Sequence, residues 1–398
     1  MAQTFVYHKK QLFILRSIVT DLPKKDQLYE LIRTNPFISQ QDLAVQLRLS
    51  RSAVAGYIAG LIRDGRLLGR AYVLPGLRPI ACIGAANLDR KLRSLATPAM
   101  GTSNPARQDE SFGGVARNIA ENLARLGAPV SLTTAIGDDA SGRALLAHAE
   151  AAGIDMRGTL KIDNACSGTY TAVLDEHGEM LLALADMALY ERLTPDFIAG
   201  GQPRRALPAL IVADLNLPRE TLALLLADAR RDAVPLLMVA VSQPKMTRLP
   251  DDLRGLRLLI LNQGELETRV GAPLRTDADF AAACARVQAQ GAQDLIVTRG
   301  AGGVLFTRAG GGVTQLAAAE AQVVDVTGAG DAFAAAVCWS LFHGSDDLEL
   351  ACRRGLKLSA MTLACEQTVC PWLGADSLDD IPAIHPGASQ PFNALYQE

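Results

Sequence analysis

The chain lacks a strong net charge: 39 Lys and Arg stand against 42 Asp and Glu, a formal −3 over 398 residues. Such a total identifies no partner by itself, because an average can hide opposite halves. The chain also lacks a long apolar run, since no uninterrupted stretch reaches the roughly 18 residues a bilayer span needs. Paired cysteines are missing as well. The seven present (Cys82, Cys166, Cys284, Cys338, Cys352, Cys365 and Cys370) are odd in number and none has C-x-x-C spacing. That excludes a disulfide scaffold, a zinc ribbon and a thioredoxin-like motif, and predicts small buried hydrophobes in a reducing cytoplasm. Periodic repeats, low-complexity tracts and long linkers are absent too. Residues 11–20 are partly apolar, but Arg16 interrupts them and no small-residue cleavage site follows, so no signal peptide is expected. Residues 1–22 read as an extension or leading helix. What is present is globular, with 49% hydrophobic and 20% charged residues. The length suggests two or three domains, unless one is a large enzyme domain.

Dividing the chain at Arg78 exposes an asymmetry. Residues 1–78 carry twelve bases and five acids, a net +7, while the remainder carries 27 bases and 37 acids, a net −10. A basic head on an acidic body suggests a polyanion-binding module fused to something else.

Inside the head, residues 24–33 read as a first helix, with Leu28, Leu31 and Ile32 on one face and Asn35-Pro36 ending it. Ser39 followed by Asp42 reads as an N-cap and first-turn acid, and Leu43, Ala44 and Leu47 form the apolar face of a short second helix. Arg48-Leu49 is the turn. Ser50 caps a third helix, where Val54, Ile58, Leu61 and Ile62 recur at helical spacing. Gly56 and Gly60 each cost that helix about 1 kcal/mol relative to Ala. Asp64-Gly65 turns into residues 66–74, which alternate loosely like a small hairpin.

Three short helices and a hairpin over residues 23–78 resemble a winged helix-turn-helix domain. The resemblance implies that the helix after Ser50 enters the DNA major groove. Arg51, Ser52 and Tyr57, off its apolar face, would contact bases or phosphates, and Arg66 and Arg70 on the wing would contact phosphates. A helical docking or dimerisation module is the other reading of the same pattern.

From Pro79 onward strands and helices alternate. Strands are expected at 79–84, 130–136, 209–213, 235–241, 256–261 and 295–298. Helices are expected at 116–126, 140–152, 217–229, 277–288, 328–342 and 348–365. Such alternation predicts an α/β fold with helices on both faces of a mainly parallel sheet. Residues 168–184 break the rhythm as a hairpin through Asp175-Glu176-His177-Gly178, a candidate lid or oligomer contact.

The chemistry concentrates at Val323-Val324-Asp325-Val326-Thr327-Gly328-Ala329-Gly330-Asp331-Ala332-Phe333. A β-type run meets a Gly-Ala-Gly turn and then a long apolar helix. Small residues at a helix start let backbone N–H groups approach an anion, and the helix dipole adds attraction. An Asp in that first turn is poorly placed to bind phosphate but suits taking a proton from an attacking hydroxyl. An ordinary glycine turn capped by an acid gives the same local pattern.

This stretch resembles the signature of the ribokinase-like (PfkB) sugar and nucleoside kinases, and four other segments resemble that family in the same order. They are Gly84-Ala85-Ala86-Asn87-Leu88-Asp89, the run from Ser111-Phe112-Gly113-Gly114 through Asn118 to Gly127, Asn262-Gln263-Gly264-Glu265, and Val297-Thr298-Arg299-Gly300. The missing G-x-x-x-x-G-K-[ST] run agrees, since the family does not use that loop. The resemblance implies a three-layer α/β/α domain over residues 79–390, with small lid strands near 155–186. It implies Asp331 as catalytic base and the Gly328, Ala329 and Gly330 amides as stabilisers of the transferring phosphoryl group. Asp89 would hold sugar hydroxyls, with Asn87, Gly113, Gly114, Asn118 and Thr169 completing the substrate site. Asn262 and Glu265 would organise Mg²⁺ around the ATP phosphates. Thr298 and Gly300 would lie along the nucleotide, Lys245 would serve the phosphates, and Asp325 would help a monovalent-cation (K⁺) site.

Within the family the likeness is to pseudouridine kinases, through Ser167-Gly168-Thr169-Tyr170, residues 178–187, Val212-Ala213-Asp214-Leu215-Asn216 and residues 361–366. Two departures stand out. Ala240-Val241 replaces an Asp-Pro pair and Ile260-Leu261 a Lys-Pro pair, removing polar groups from the phosphate region. Two functions follow: a cytoplasmic kinase acting on a sugar or nucleoside, or a transcription regulator whose kinase-like body senses a ligand. A homodimer is expected either way, because helix-turn-helix heads read two half-sites.

Overall fold

The computed structural model describes residues 23–34, 38–67, 78–201 and 207–381. The expected extension at 1–22, the Asn35-Pro36 break and most of the expected wing, including Arg70, lie outside them. The chain divides into two compact units, Met1–Arg78 and Pro79–Glu398.

The first unit has helices α1 (Lys24–Thr34), α2 (Gln40–Leu47) and α3 (Arg51–Arg63). The two serines cap as their spacing predicts: Ser39 Oγ accepts from Asp42 N and Ser50 Oγ from Ala53 N, both at 3.1 Å. Between α2 and α3, Arg48 sits in the left-handed region at φ 55°. Leu28, Ile32, Leu43, Leu47, Val54, Ile58 and Leu61 form a core of their own. Ile62, expected on the apolar face, is exposed. It lies about 100° round the helix from Leu61, past the edge of the stripe.

The second unit is built on an eight-stranded sheet. Its parallel part is β1 (Ile80–Ile83), β4 (Val130–Thr133), β9 (Leu210–Asp214), β10 (Leu236–Val239), β11 (Leu256–Asn262) and β12 (Asp294–Thr298). Two antiparallel strands, β13 (Val304–Thr307) and β14 (Val313–Leu316), extend one edge, giving the order β14-β13-β12-β11-β10-β9-β1-β4. Side chains alternate between two cores, as period-two strands require. Cys82, Val212, Leu237 and Ile260 pack toward helices α4 (Val115–Arg125), α10 (Ala329–Phe342) and α11 (Leu348–Leu363). Ile83, Ala213, Met238 and Leu261 pack on the other face with α7 (Arg219–Asp232), α8 (Gln263–Val270) and α9 (Asp277–Ala289). The helices α5 (Ala140–Ala151) and α6 (Pro195–Gly201) complete the set among the described residues. No helix there is long and apolar enough to cross a membrane.

The single strand expected at 130–136 is two. The chain leaves the large sheet after Thr133, and β5 (Ala135–Gly137) pairs instead with β6 (Leu160–Ile162). A second sheet of four strands, ordered β3-β2-β7-β8, holds the expected hairpin as β7 (Thr169–Leu174) and β8 (Met180–Asp186). Its other half, β2 (Asn87–Ser94) and β3 (Ala106–Gly113), lies well before the residues near 155–186 expected to form the lid. Those two strands carry many charged residues and so lack the apolar run by which the others were read.

Candidate active site

The loops after parallel strands β1 and β9 meet through one carboxylate. Asp214, nearly inaccessible at the end of β9, accepts from Ala85 N at 2.9 Å, Ala116 N at 3.0 Å and Asn216 N at 2.8 Å. Burial pushes its carboxyl upward, and the backbone bonds pull against that shift. It thereby ties the segment leading into β2 to the start of α4. Tyr190 adds a second tie, its buried hydroxyl donating to Ala86 O at 2.5 Å.

From that anchor, β2 presents Asn87 and Asp89 on one face. Asn87 Nδ2 donates to Asp89 Oδ1 at 2.5 Å. Gly113 lies opposite Asn87 on β3, and a Cβ there would sit 2.2 Å from Asp89 Oδ2, so no side chain fits without moving the carboxylate. Gly114 is the N-cap of α4, and Thr169 pairs in register with Leu88 between Asn87 and Asp89. Burial raises the Asp89 carboxyl to about 6, against the Asn87 hydrogen bond and the charges of Arg117 and Lys91.

The second cluster joins α4 to α10. Asn118 Nδ2 donates to Asp331 Oδ2 at 2.7 Å. Arg117 Nη1 donates to Asn118 Oδ1 at 2.7 Å and to Phe112 O at 2.8 Å. A guanidinium cannot accept, so the amide oxygen of Asn118 must face Arg117 and its nitrogen must face Asp331. Arg117 is itself fixed by a buried ion pair with Glu121. Burial raises the Asp331 carboxyl to about 7. The Asn118 bond opposes the rise, while the charges of Asp214 and Asp89 add to it. Gly328, at φ 83°, starts α10 with no side-chain cap, and a Cβ there would lie 2.1 Å from Thr368 O. The first amides of α10 therefore have no capping side chain to satisfy them.

The remaining expected residues cluster at the ends of β11 and β12. Asn262 and Glu265 form a reciprocal capping box on α8: Asn262 Oδ1 accepts from Glu265 N at 2.9 Å, and Glu265 Oε2 accepts from Asn262 N at 2.7 Å. Glu265 is only 3% exposed, and burial pushes its carboxyl up. Thr298 is the register partner of Asn262, and Gly300 opens an exposed turn beyond it. Lys245 lies on a 3₁₀ turn, Gln243–Arg248, packed against α8. Burial lowers its ammonium.

Among the described residues no three His, Cys, Asp or Glu side chains gather as an all-protein metal cage. One buried carboxylate, Glu265, with an oxygen beyond its capping bond fits Mg²⁺, which keeps much of its water and binds mainly through phosphates. Asp325 does not fit a monovalent cation. Its Oδ1 accepts from Thr327 N at 2.9 Å and Thr327 Oγ1 at 2.6 Å, and its Oδ2 is paired with Lys91.

A cleft of about 700 Å³ opens between residues 317–322 and α11, lined by Ala317, Gln322, Arg353, Lys357, Met361 and Trp372. Val324 N, bonded to Leu363 O at 2.7 Å, ties the segment before α10 to α11. Sequence reasoning assigned no role to Lys91, Arg117, Tyr190 or Asp214. Leu88 and Leu92 fall on one face of the strand that carries Lys91, but Arg90 stands between them and breaks the alternation.

In the first unit, Arg51 and Ser52 are exposed at the start of α3 and Tyr57 is half-buried. Arg66 is held by Asp26 at 2.6 Å and stacks 4.2 Å from the Tyr29 ring centroid.

Comparison with known proteins adds four findings. Residues 78–372 match the pfkB family carbohydrate kinase model. An uncharacterized sugar kinase of Escherichia coli K12, YeiI, is 32% identical over 363 residues, covering 91% of this chain and 99% of its own. The pseudouridine kinase of Escherichia coli K12 is 33% identical over 296 residues, 73% of this chain and 92% of its own. In fold, the Arabidopsis thaliana ribokinase solved with ribose and ATP superposes with a TM-score of 0.67 at 20% identity, over 76% of this chain and 98% of that one.

Proposed function

The chain belongs to the pfkB family of carbohydrate kinases, and we propose that it transfers the γ-phosphoryl group of ATP to the 5′-hydroxyl of pseudouridine. The observation that carries this reading is Asp331, a carboxylate raised to about 7 beside the uncapped start of α10 and oriented by Asn118. A base works best when its pKa lies near the working pH.

In the proposed mechanism Asp89 and Asn87 hold the sugar hydroxyls, and Gly113, Gly114 and Thr169 shape the floor around them. Asp331 takes the proton from the attacking hydroxyl. The freed oxygen bonds to the γ-phosphorus as the bond to the ADP oxygen breaks. The amides of Gly328, Ala329 and Gly330 stabilise charge on the group in flight. The nucleoside of ATP occupies the cleft between residues 317–322 and α11, with Thr298 and Gly300 along the nucleotide and Lys245 serving the phosphates. Mg²⁺ bound with ATP would neutralise phosphate charge there, and Glu265 with Asn262 would hold it through water. The choice of pseudouridine rests on the 33% identity to a pseudouridine kinase and on the segments at 167–170 and 212–216. An ATP-consumption assay over a panel of nucleosides and sugars tests it. The result expected is turnover with pseudouridine well above that with ribose. No turnover with any member of the panel would overturn it.

We further propose that the first unit is a winged helix-turn-helix that binds DNA, with α3 as the reading helix. The support is its net charge of +7, two serine-capped helices joined by the turn at Arg48, and the exposure of Arg51 and Ser52. In that role Arg66 would reach phosphate only by leaving Asp26. Reversing the charge in full-length Arg51→Glu should weaken a DNA mobility shift at least tenfold while leaving turnover unchanged. No shift by the wild type at low salt would remove this part of the reading. A homodimer accords with β8, a sheet-edge strand whose Met180, Leu181, Leu182 and Leu184 are exposed. The seven unpaired cysteines accord with a cytoplasmic setting. A regulator with an inactive sensor body is the second reading, favoured by buried, apolar Ile260-Leu261 before Asn262, in place of a Lys-Pro pair. It requires ligand-dependent DNA binding without turnover.

A further inference from the structure

The pair between Lys91 and Asp325 has no part in the roles above. Lys91 lies two residues beyond Asp89 on β2 and so on the same face of the strand. Its Nζ donates to Asp325 Oδ2 and lies 3.4 Å from Thr327 Oγ1. The other oxygen of Asp325 accepts from Thr327 N and Thr327 Oγ1. Thr327 is followed directly by Gly328, Ala329 and Gly330. One ammonium, carried on the strand that bears Asp89, therefore neutralises the carboxylate that shapes the turn opening α10.

A bound monovalent ion at Asp325 would supply the same single positive charge among the same oxygens. The two cannot share the place. Both carboxylate oxygens are engaged, and like charges a few ångströms apart repel strongly in a partly dry site. A lysine suits the task, because its compact charge sits on a flexible stem with three donors.

We infer that Lys91 is a built-in cation: its ammonium stands where a monovalent ion would otherwise be needed at Asp325, so the Gly328–Gly330 turn is organised without K⁺ or Na⁺ and is tied to the strand that carries Asp89. Lys91 is on this account a positioning residue. The inference rests on the kinase reading for its meaning in catalysis, but its first test needs no turnover.

The test is the thermal melt of the full-length protein in potassium chloride and in choline chloride at equal ionic strength, for the wild type, Lys91→Met and Lys91→Arg. The wild type and Lys91→Arg should melt alike in the two salts. Lys91→Met should melt lower in choline and regain about 2–4 °C in potassium, by mass action of an ion entering the vacated place. In a turnover assay the wild type should vary less than about twofold between the salts, while Lys91→Met should lose about tenfold in choline and recover with potassium. A wild type stabilised or activated several-fold by potassium would overturn the inference, and that arm needs no variant. A folded Lys91→Met indifferent to potassium would overturn it equally. If no substrate is phosphorylated while the wild-type melt stays indifferent to the cation, the kinase reading fails and this one stands.

Discussion

Two aspartates six residues apart behave in opposite ways. At Asp325 burial acts to raise the carboxyl, but the Lys91 ammonium and the bonds from Thr327 outweigh it, and the group is held below the ordinary carboxylate range. At Asp331 burial prevails. Its carboxylate accepts from a neutral amide, that of Asn118, two further carboxylates act on it, and it rises to about 7. The same residue type becomes a fixed anion at one end of the turn and a group able to exchange a proton at the other. The difference lies in what faces each carboxylate: an ammonium in the first case, an amide nitrogen in the second.

Four changes break or sharpen that contrast, taken from the largest effect to the smallest. Asp331→Asn should lower kcat by about 10²–10⁴ while nucleoside binding, read by calorimetry, is kept. Gly328→Ala adds a Cβ at φ 83° against Thr368 O and should cost at least about 2 kcal/mol in a denaturant melt. Asp325→Asn removes a half-exposed ion pair and should cost at most about 1 kcal/mol of stability, with turnover reduced about tenfold. The smallest effect is the pH dependence of stability. Asp331, raised in the folded state, contributes stability that is full below its unfolded value and is lost as pH rises toward and through about 7. Asp325, lowered, contributes stability present above its unfolded value and lost as pH falls through its folded one. Melting temperatures from pH 4 to 8 should therefore decline less for Asp331→Asn than for the wild type, and below about pH 4 Asp325→Asn should lack the wild type's acid-side slope.

Most of the large sheet was legible in the sequence because its strands are continuous apolar runs. Residues 210–213 and 258–261 are apolar and buried on both sides. The helix after Gly328 was legible for the same reason, and Ser39 and Ser50 announced their helices through capping chemistry. The small sheet was half legible. Its β7–β8 hairpin has a turn and apolar residues, whereas β2 and β3 spend their length on Arg, Lys, Asp and Glu. That hid Lys91, since a lysine in a charged stretch reads as solvated surface until the fold brings Asp325 to it. Asp325 itself was expected beside a bound ion and is found beside a residue from 234 positions earlier in the chain. Arg117 stayed unread in a different way. The motif pointed to its neighbour Asn118, but the direction in which that amide faces depends on a guanidinium whose burial only packing reveals. Glu265 shows the converse, a residue singled out for metal chemistry that also serves α8 as half of a capping box.

The measurement that tests the account most directly is the pH profile of pseudouridine-dependent ATP consumption for the wild type and Asp331→Asn. Asp331 as base predicts a wild-type kcat/KM that rises with pH and levels off above about 7, and a variant lower by at least about a hundredfold with that rise gone. A variant that keeps the wild-type rate, or the same rise through about 7, would contradict it.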